Sequence, residues 1–437
     1  MNGMPGRREI GLTEVVSIGI GGMVGGGIFA VLGLAAQLAG GGTPVAFMIA
    51  GVVALVTSYS YARLSVAYPS QGGTVKFLLK GYGAGLLSGT LNLLLWISYI
   101  IMLSLYAYAF GTYGATFFPG HLQLLMKHVL TSAAIIGIMV LNIMKAGVVG
   151  KAEDIIVAIK LAILLVFVGV GLFSVQAASF SPSLWPPAIT LISGGFIIFV
   201  AYEGFELIAN TAQDVREPER ILPVAYLITV GFVLVLYILV AIVVVGNLPV
   251  DQIVAARDYA LAEAAKPFLG QVGFVLIAVA ALLSTASAIN ATLYGTARLS
   301  YIIAKEGELP RFLEREIWDR HLEGLFITTG ITLVMANVLD LRDISTMGSA
   351  GFLIIFAAVN WANVRLWKET RSIRFISALG TGLCLGAIGF LVYETILKAP
   401  KNLLVLGIML GLALTLELLY YHMKGRKMEI VDREEAP

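Results

Sequence analysis

Apolar runs of roughly 20 residues recur from one end of this chain to the other, each long enough to cross a ~30 Å hydrocarbon core. Nothing else in the sequence restricts the fold as strongly. Backbone N–H and C=O groups find no water in lipid, so each run must satisfy its own as a helix. Composition agrees. Of 437 residues 58% are hydrophobic and 13% charged, with a mean hydropathy of +0.90, whereas a soluble domain carries about a quarter charged residues. The expectation is an all-α polytopic membrane protein forming one transmembrane domain over residues 1–437. Its spans fall at about 11–38, 44–68, 84–112, 130–148, 152–176, 189–211, 224–246, 271–298, 324–339, 344–366, 373–396 and 402–423, twelve in all.

Charge sets orientation and excludes whole classes of function. Most of the 29 Lys and Arg fall on connections at one side; the other side holds only Lys127, Arg257, Lys266, Arg342, Lys398 and Lys401. The positive-inside rule then makes both termini cytoplasmic. Arg7 and Arg8 ahead of an apolar run mimic a signal peptide, but the run from Ile10 to Leu38 is too long for one. A net charge of +2 argues against a nucleic-acid partner. The single cysteine, Cys384, excludes a disulfide framework, and four scattered histidines offer no metal cluster. No cofactor motif and no nucleophile–base pair stand out, so an enzyme is not expected. The outer stretch from Leu248 to Leu269 reads as an amphipathic helix on the membrane surface, and the inner stretch from Ala304 to Glu323 as a short cytoplasmic helix. The tail at 424–437 reads as polar and disordered.

Two spans are unlike ordinary helices. In the first, Gly21, Gly22, Gly25, Gly26 and Gly27 fall within seven positions. Each costs up to ~1 kcal/mol in a helix interior, so the cluster invites unwinding, and unwinding exposes amides and a half-helix N-terminus suited to a carboxylate. A close helix crossing also uses small residues, but the triple glycine exceeds what packing needs. The nearby Gly19 and Gly21 fail as a dinucleotide fingerprint, because Val24 occupies the third glycine position. The sixth span holds Phe199, Val200, Ala201, Tyr202, Glu203, Gly204, Phe205 and Glu206. Paired breaks in corresponding positions of two halves point to a transporter binding site. Spans 1 and 6 correspond if two five-helix repeats of opposite topology precede two additional helices.

Charges inside the apolar runs carry the remaining chemistry. Glu203 and Glu206 each cost roughly 2.5–3.5 kcal/mol on insertion scales. They suit a proton carrier, a ligand for a substrate amine or a gate, unless hydroxyls and amides simply satisfy them. Lys160 lies about 13 Å into span 5 from Lys151 at 1.5 Å per residue. A lysine there must pair, release its proton or take the place of a cation. Ser284 and Ser287 share a face of span 8 and could meet Lys160, bind a cation or merely pack. Glu394 and Glu417, near span ends, read as interfacial; Trp96, Tyr99, Tyr106 and Tyr108 in span 3 could line a cavity, though most read as packing.

The glycine-rich segment from Gly22 to Phe29 resembles the first-span signature of the amino acid–polyamine–organocation (APC) superfamily. So do Tyr61 to Leu64 with Pro69 to Gly73, and Ala201 to Glu206 running into Asn210 to Pro218. The resemblance extends from about residue 9 to 310 and more loosely to 423. It implies a LeuT-type 5+5 inverted repeat with two additional C-terminal helices: repeat 1 at about 11–176, repeat 2 at about 189–366 and the extra helices at about 373–423. It further implies an amino acid substrate whose carboxylate meets amides at Gly25, Gly26 and Gly27. The substrate amine would meet carbonyls near Gly21, Gly22, Phe199, Val200 and Ala201, close to Tyr202 and Glu203. The segment from Ala152 to Lys160 resembles span 5 of a proton-coupled, broad-specificity branch, in which a lysine replaces a sodium ion. That makes Lys160 the expected proton site, with Ser284, Ser287 and Glu206 as associated groups. Gly26 departs from the pattern, standing where many relatives have Ser or Thr. The expected function is proton-coupled amino acid import across the plasma membrane by alternating access. The alternatives are an amino acid or polyamine exchanger and a non-transporting amino acid sensor.

Overall fold

The computed structural model describes residues 10–144, 149–305, 322–398 and 400–424. The expected cytoplasmic helix between Ala304 and Glu323, and the tail, lie largely outside those residues. Helices dominate; among the described residues the one strand-like feature is a bridge pairing Ile10 with Val215.

The glycine cluster divides the first span into α1 (Leu12–Met23) and α2 (Gly27–Ala39). Next come α3 (Thr43–Ala67), a short α4 (Thr74–Tyr82) that the sequence reading left in a connection, and α5 (Leu86–Ala115). After α6 (Gly120–Ile143) and α7 (Val149–Gly171), the sixth span is also divided. There α8 (Ala188–Ile197) gives way to tighter 3-10 turns at Phe199–Tyr202 and Phe205–Asp214, bent by 45°. The chain continues through α9 (Pro218–Asn247), the short α10 (Val250–Ala256) and α11 (Ala260–Glu263), and the long α12 (Lys266–Lys305). Last come α13 (Leu322–Val338), α14 (Leu341–Arg365), α15 (Arg374–Lys398) and α16 (Pro400–Lys424).

Among the described residues eight helices are long and apolar enough to cross a membrane, or nine when the bent sixth segment is taken as one span. This is a multi-pass membrane protein. The core is built where α3 packs along α9, α5 along α12 and α14 along α15. By contrast α6, α7 and α15 leave much of their apolar surface outward, as lipid-facing helices do.

Two expectations are corrected. The stretch from Leu248 to Leu269 is not one surface helix: it breaks at Arg257–Tyr259 into α10 and α11 and packs on α2. Ile253, Ala260, Leu261 and Ala262 are buried there, and the Arg257 carbonyl sits against Gly33, where a β-carbon has no room. Its apolar face was thus complementary to α2, not to lipid. Likewise Glu394 and Glu417 are buried, not interfacial, with the Glu417 carboxylate over Gly89 of α5. The absent β-carbon at Gly89 makes the space that the carboxylate fills.

Candidate functional site

The two breaks lie against each other, backbone to backbone. Gly204 adopts φ 118°, ψ −21°, open to glycine and costly for other residues. A β-carbon on it would come 2.5 Å from the Gly22 carbonyl carbon, and one on Gly22 would come 2.9 Å from the Gly204 oxygen. One on Gly27 would stand 3.0 Å from the Ala201 α-carbon. The glycines therefore serve both expected purposes at once, unwinding and close approach.

Interrupting a helix orphans its last carbonyls, and side chains from three other helices answer them here. Lys160 Nζ on α7 donates to the Gly21 oxygen at 3.1 Å. The Tyr237 hydroxyl on α9 donates to Met23 at 2.7 Å. Ser284 Oγ on α12 lies 3.0 Å from the Val24 oxygen and 2.8 Å from that of Gly25. The second break is treated alike by α14. Ser345 and Ser349 donate to the Ile197 oxygen at 2.8 and 2.7 Å, and the Val200 N–H donates to Ser349 Oγ at 2.9 Å. Lys160 is fully buried.

A cavity of about 310 Å³ adjoins both breaks. Its deep end is formed by Gly21, Gly22, Glu203 and the ring of Tyr106, with Ser287 and Ala288 of α12 beside them. It runs past Ser17 and Ile18, one turn earlier on α1, so it opens towards the end of the bundle where α1 begins. At the opposite end α2 lies beneath α10 and α11, and Asp258 between them ties down the corner. It accepts from Tyr108 at 2.9 Å and has Lys127 Nζ at 3.8 Å, itself 3.6 Å above the Tyr108 ring.

The expected site residues thus separate. Gly21, Gly22, Glu203 and Ser287 line the cavity. Phe199, Val200, Ala201 and Tyr202 are buried behind it, with the Tyr202 hydroxyl donating to the Phe47 oxygen at 2.9 Å. Gly25, Gly26 and Gly27 are buried beneath the Tyr106 ring and Ala201. The glutamates divide as well. Glu203 faces the cavity and accepts from Tyr106 at 3.0 Å. Glu206 turns back to accept from the Gly204 N–H at 2.8 Å, and from Tyr99 at 3.0 Å, bracing the break.

Of the four aromatics of the third span that could line a cavity or pack, Tyr106 lines this one. A β-carbon at Gly26 would stand 2.5 Å from its Cδ1 and 2.9 Å from Thr285 Cγ2. The departure noted at Gly26 and the presence of Tyr106 are therefore two halves of one contact. Chemically, the cavity presents the backbone at Gly21 and Gly22 beside the Glu203 carboxyl. Among the described residues no group of His, Cys, Asp and Glu could hold a metal ion.

Known proteins match along almost the whole length. The signature of the amino acid permease family covers residues 10–413. The chain is 37% identical to an inner membrane transport protein of Escherichia coli, over 90% of this chain and 91% of that one. It is 35% identical to an uncharacterised protein of Methanocaldococcus jannaschii, over 88% and 89%. It is also 25% identical to a methylthioribose transporter of Bacillus subtilis, over 86% and 87%. With two facing helix breaks around one cavity, and these relatives, the chain belongs to the amino acid permease family and is a transporter, not an enzyme.

Proposed function

We propose that this protein imports amino acids together with protons by alternating access, in a LeuT-type fold of two inverted five-helix repeats and two added helices. Twelve spans divide as the resemblance implies, both termini are cytoplasmic in the plasma membrane, and the cavity therefore opens inward. Paired contacts support the repeat. The fifth span holds the first through Lys160 on Gly21, and the tenth holds the sixth through Ser345 and Ser349 on Ile197. The seventh reaches the first through Tyr237 on Met23, and the sixth reaches the second through Tyr202 on Phe47.

The observation that carries the coupling is the buried Lys160 Nζ on the Gly21 carbonyl, at the edge of the cavity. A charged donor makes a hydrogen bond worth roughly 1.5–3 kcal/mol, against about 0.5–1.5 for a neutral one. The proton on Lys160 thus biases α1 towards α7 by about 1–2 kcal/mol, a shift of roughly 5–30-fold in a two-state equilibrium. Substrate couples to the same α1 end. Its ammonium group meets the Gly21 and Gly22 carbonyls and Glu203, and its carboxylate reaches the Gly25, Gly26 and Gly27 amides once Tyr106 turns aside. Release inward with loss of the Lys160 proton completes the cycle.

A second reading draws on Glu203, whose place in the cavity also suits a second ammonium group. It makes the protein an exchanger of cationic amino acids or polyamines. The test is uptake of labelled amino acids into proteoliposomes. An inside-alkaline gradient drives accumulation if protons are coupled; uptake that ignores the gradient and requires internal substrate favours exchange.

A further inference from the structure

We propose that the groove between α5, α14 and α15 binds an anionic phospholipid, with an acyl chain along the groove and the phosphate on Arg365 and Arg374. The groove has a volume of about 430 Å³ and lies apart from the transport cavity. Its floor on α14 is Ile354, Ala357, Ala358 and Trp361, and its wall on α15 is Thr381, Leu385 and Ile388. Leu87 and Leu91 of α5 form the third side.

Helical periodicity carries the argument. On α14 the groove positions 354, 358 and 361 extend by one further turn to Arg365 on the same stripe. On α15 the positions 388, 385 and 381 lie on a stripe that reaches Arg374 two turns further back. Two antiparallel helices thus bring their stripes to one end, and each ends in an exposed arginine. The Arg365 guanidinium stands 5.7 Å from the ring centre of Tyr82, itself a groove residue, which fixes it at the mouth. Among the described residues neither arginine is in an ion pair. The nearest carboxylate along the loop, Glu369, is taken by the Tyr68 hydroxyl, while Lys368 and Arg371 add positive charge.

Length fits one leaflet. From Arg365 to Ile354 is about 16 Å at 1.5 Å per residue, half of a ~30 Å hydrocarbon core. The arginine end is also the end at which the transport cavity opens. Ser65, near the end of α3, bonds Tyr226 near the start of α9, and Tyr59 accepts from the Ile373 N–H in the α14–α15 turn. A basic pair at the head of an apolar groove selects a negatively charged headgroup over a zwitterionic one.

The test is native mass spectrometry of delipidated full-length protein titrated with phosphatidylglycerol and with phosphatidylcholine. At about 1 kcal/mol per arginine near a membrane surface, roughly fivefold each, wild type retains phosphatidylglycerol about 25-fold better. Arg365→Gln with Arg374→Gln removes that preference, and Ala357→Phe, which fills the groove, lowers retention of both lipids. Equal retention of the two lipids by wild type, or an unchanged preference in the double variant, overturns the proposal. A photo-crosslinker at position 361 that joins two copies of the chain in bilayers also overturns it, in favour of a self-interface.

Discussion

Gly204→Ala tests whether the two breaks must touch. The residue holds φ 118°, a conformation costing about 1–3 kcal/mol for a residue with a side chain. The new β-carbon would lie 2.5 Å from the Gly22 carbonyl carbon and 2.6 Å from the Met23 nitrogen. Both are backbone atoms in a buried break, so no side chain can swing away, and relief requires moving α1 from the second break. Overpacking of this kind adds about 1–3 kcal/mol, giving a total near 2–6 kcal/mol. Gly83→Ala is the control: φ is 77° and nothing lies within 4 Å of its would-be β-carbon, so only the conformational part remains. Thermal unfolding in detergent should show a clearly larger loss for Gly204→Ala, and proteoliposome uptake should fall at least tenfold against about twofold or less for the control. Equal melting and equal uptake in the two variants would refute the facing-break geometry.

Other outcomes follow from single contacts. Gly26→Ser should cut uptake, because the new side chain meets the Tyr106 ring and Thr285 together; wild-type uptake by this variant in proteoliposomes would break the pairing of Gly26 with Tyr106. Glu206→Gln keeps a carbonyl oxygen for the Gly204 N–H and should lose far less uptake than Glu206→Ala; similar losses would make the charge, not the brace, essential. Ser349→Ala strands the buried Val200 N–H and should cost about 1–3 kcal/mol in stability by thermal unfolding, with Ser349→Thr close to wild type.

Local signals made the breaks legible in the sequence, because five glycines in an apolar run and two carboxylates beside Gly204 conflict with an ordinary span. Lys160 stood out in the sequence by its cost in lipid, and the structure buries it against the Gly21 carbonyl of the first break. What stayed hidden was how distant segments meet. Tyr106 reads as one aromatic among several on α5, and its bond to Glu203 joins residues 97 apart. Ser349 clamps a break 149 residues away and carries no mark of it in a run of small residues. The division of labour between Glu203 and Glu206 depends on which way a distorted segment turns, which helical spacing cannot give. The stretch from Leu248 to Leu269 misled because an amphipathic pattern fits a protein groove as well as a membrane surface.

The most direct test of coupling through Lys160 measures proton movement itself. Proteoliposomes with a pH-sensitive dye inside receive an amino acid outside, and labelled-substrate binding is followed in parallel to establish that each variant is folded. Wild type should acidify the lumen as substrate enters. Lys160→Ala should still bind substrate but enter no protons with it. Lumen acidification by Lys160→Ala at the wild-type ratio of protons to substrate would contradict the account.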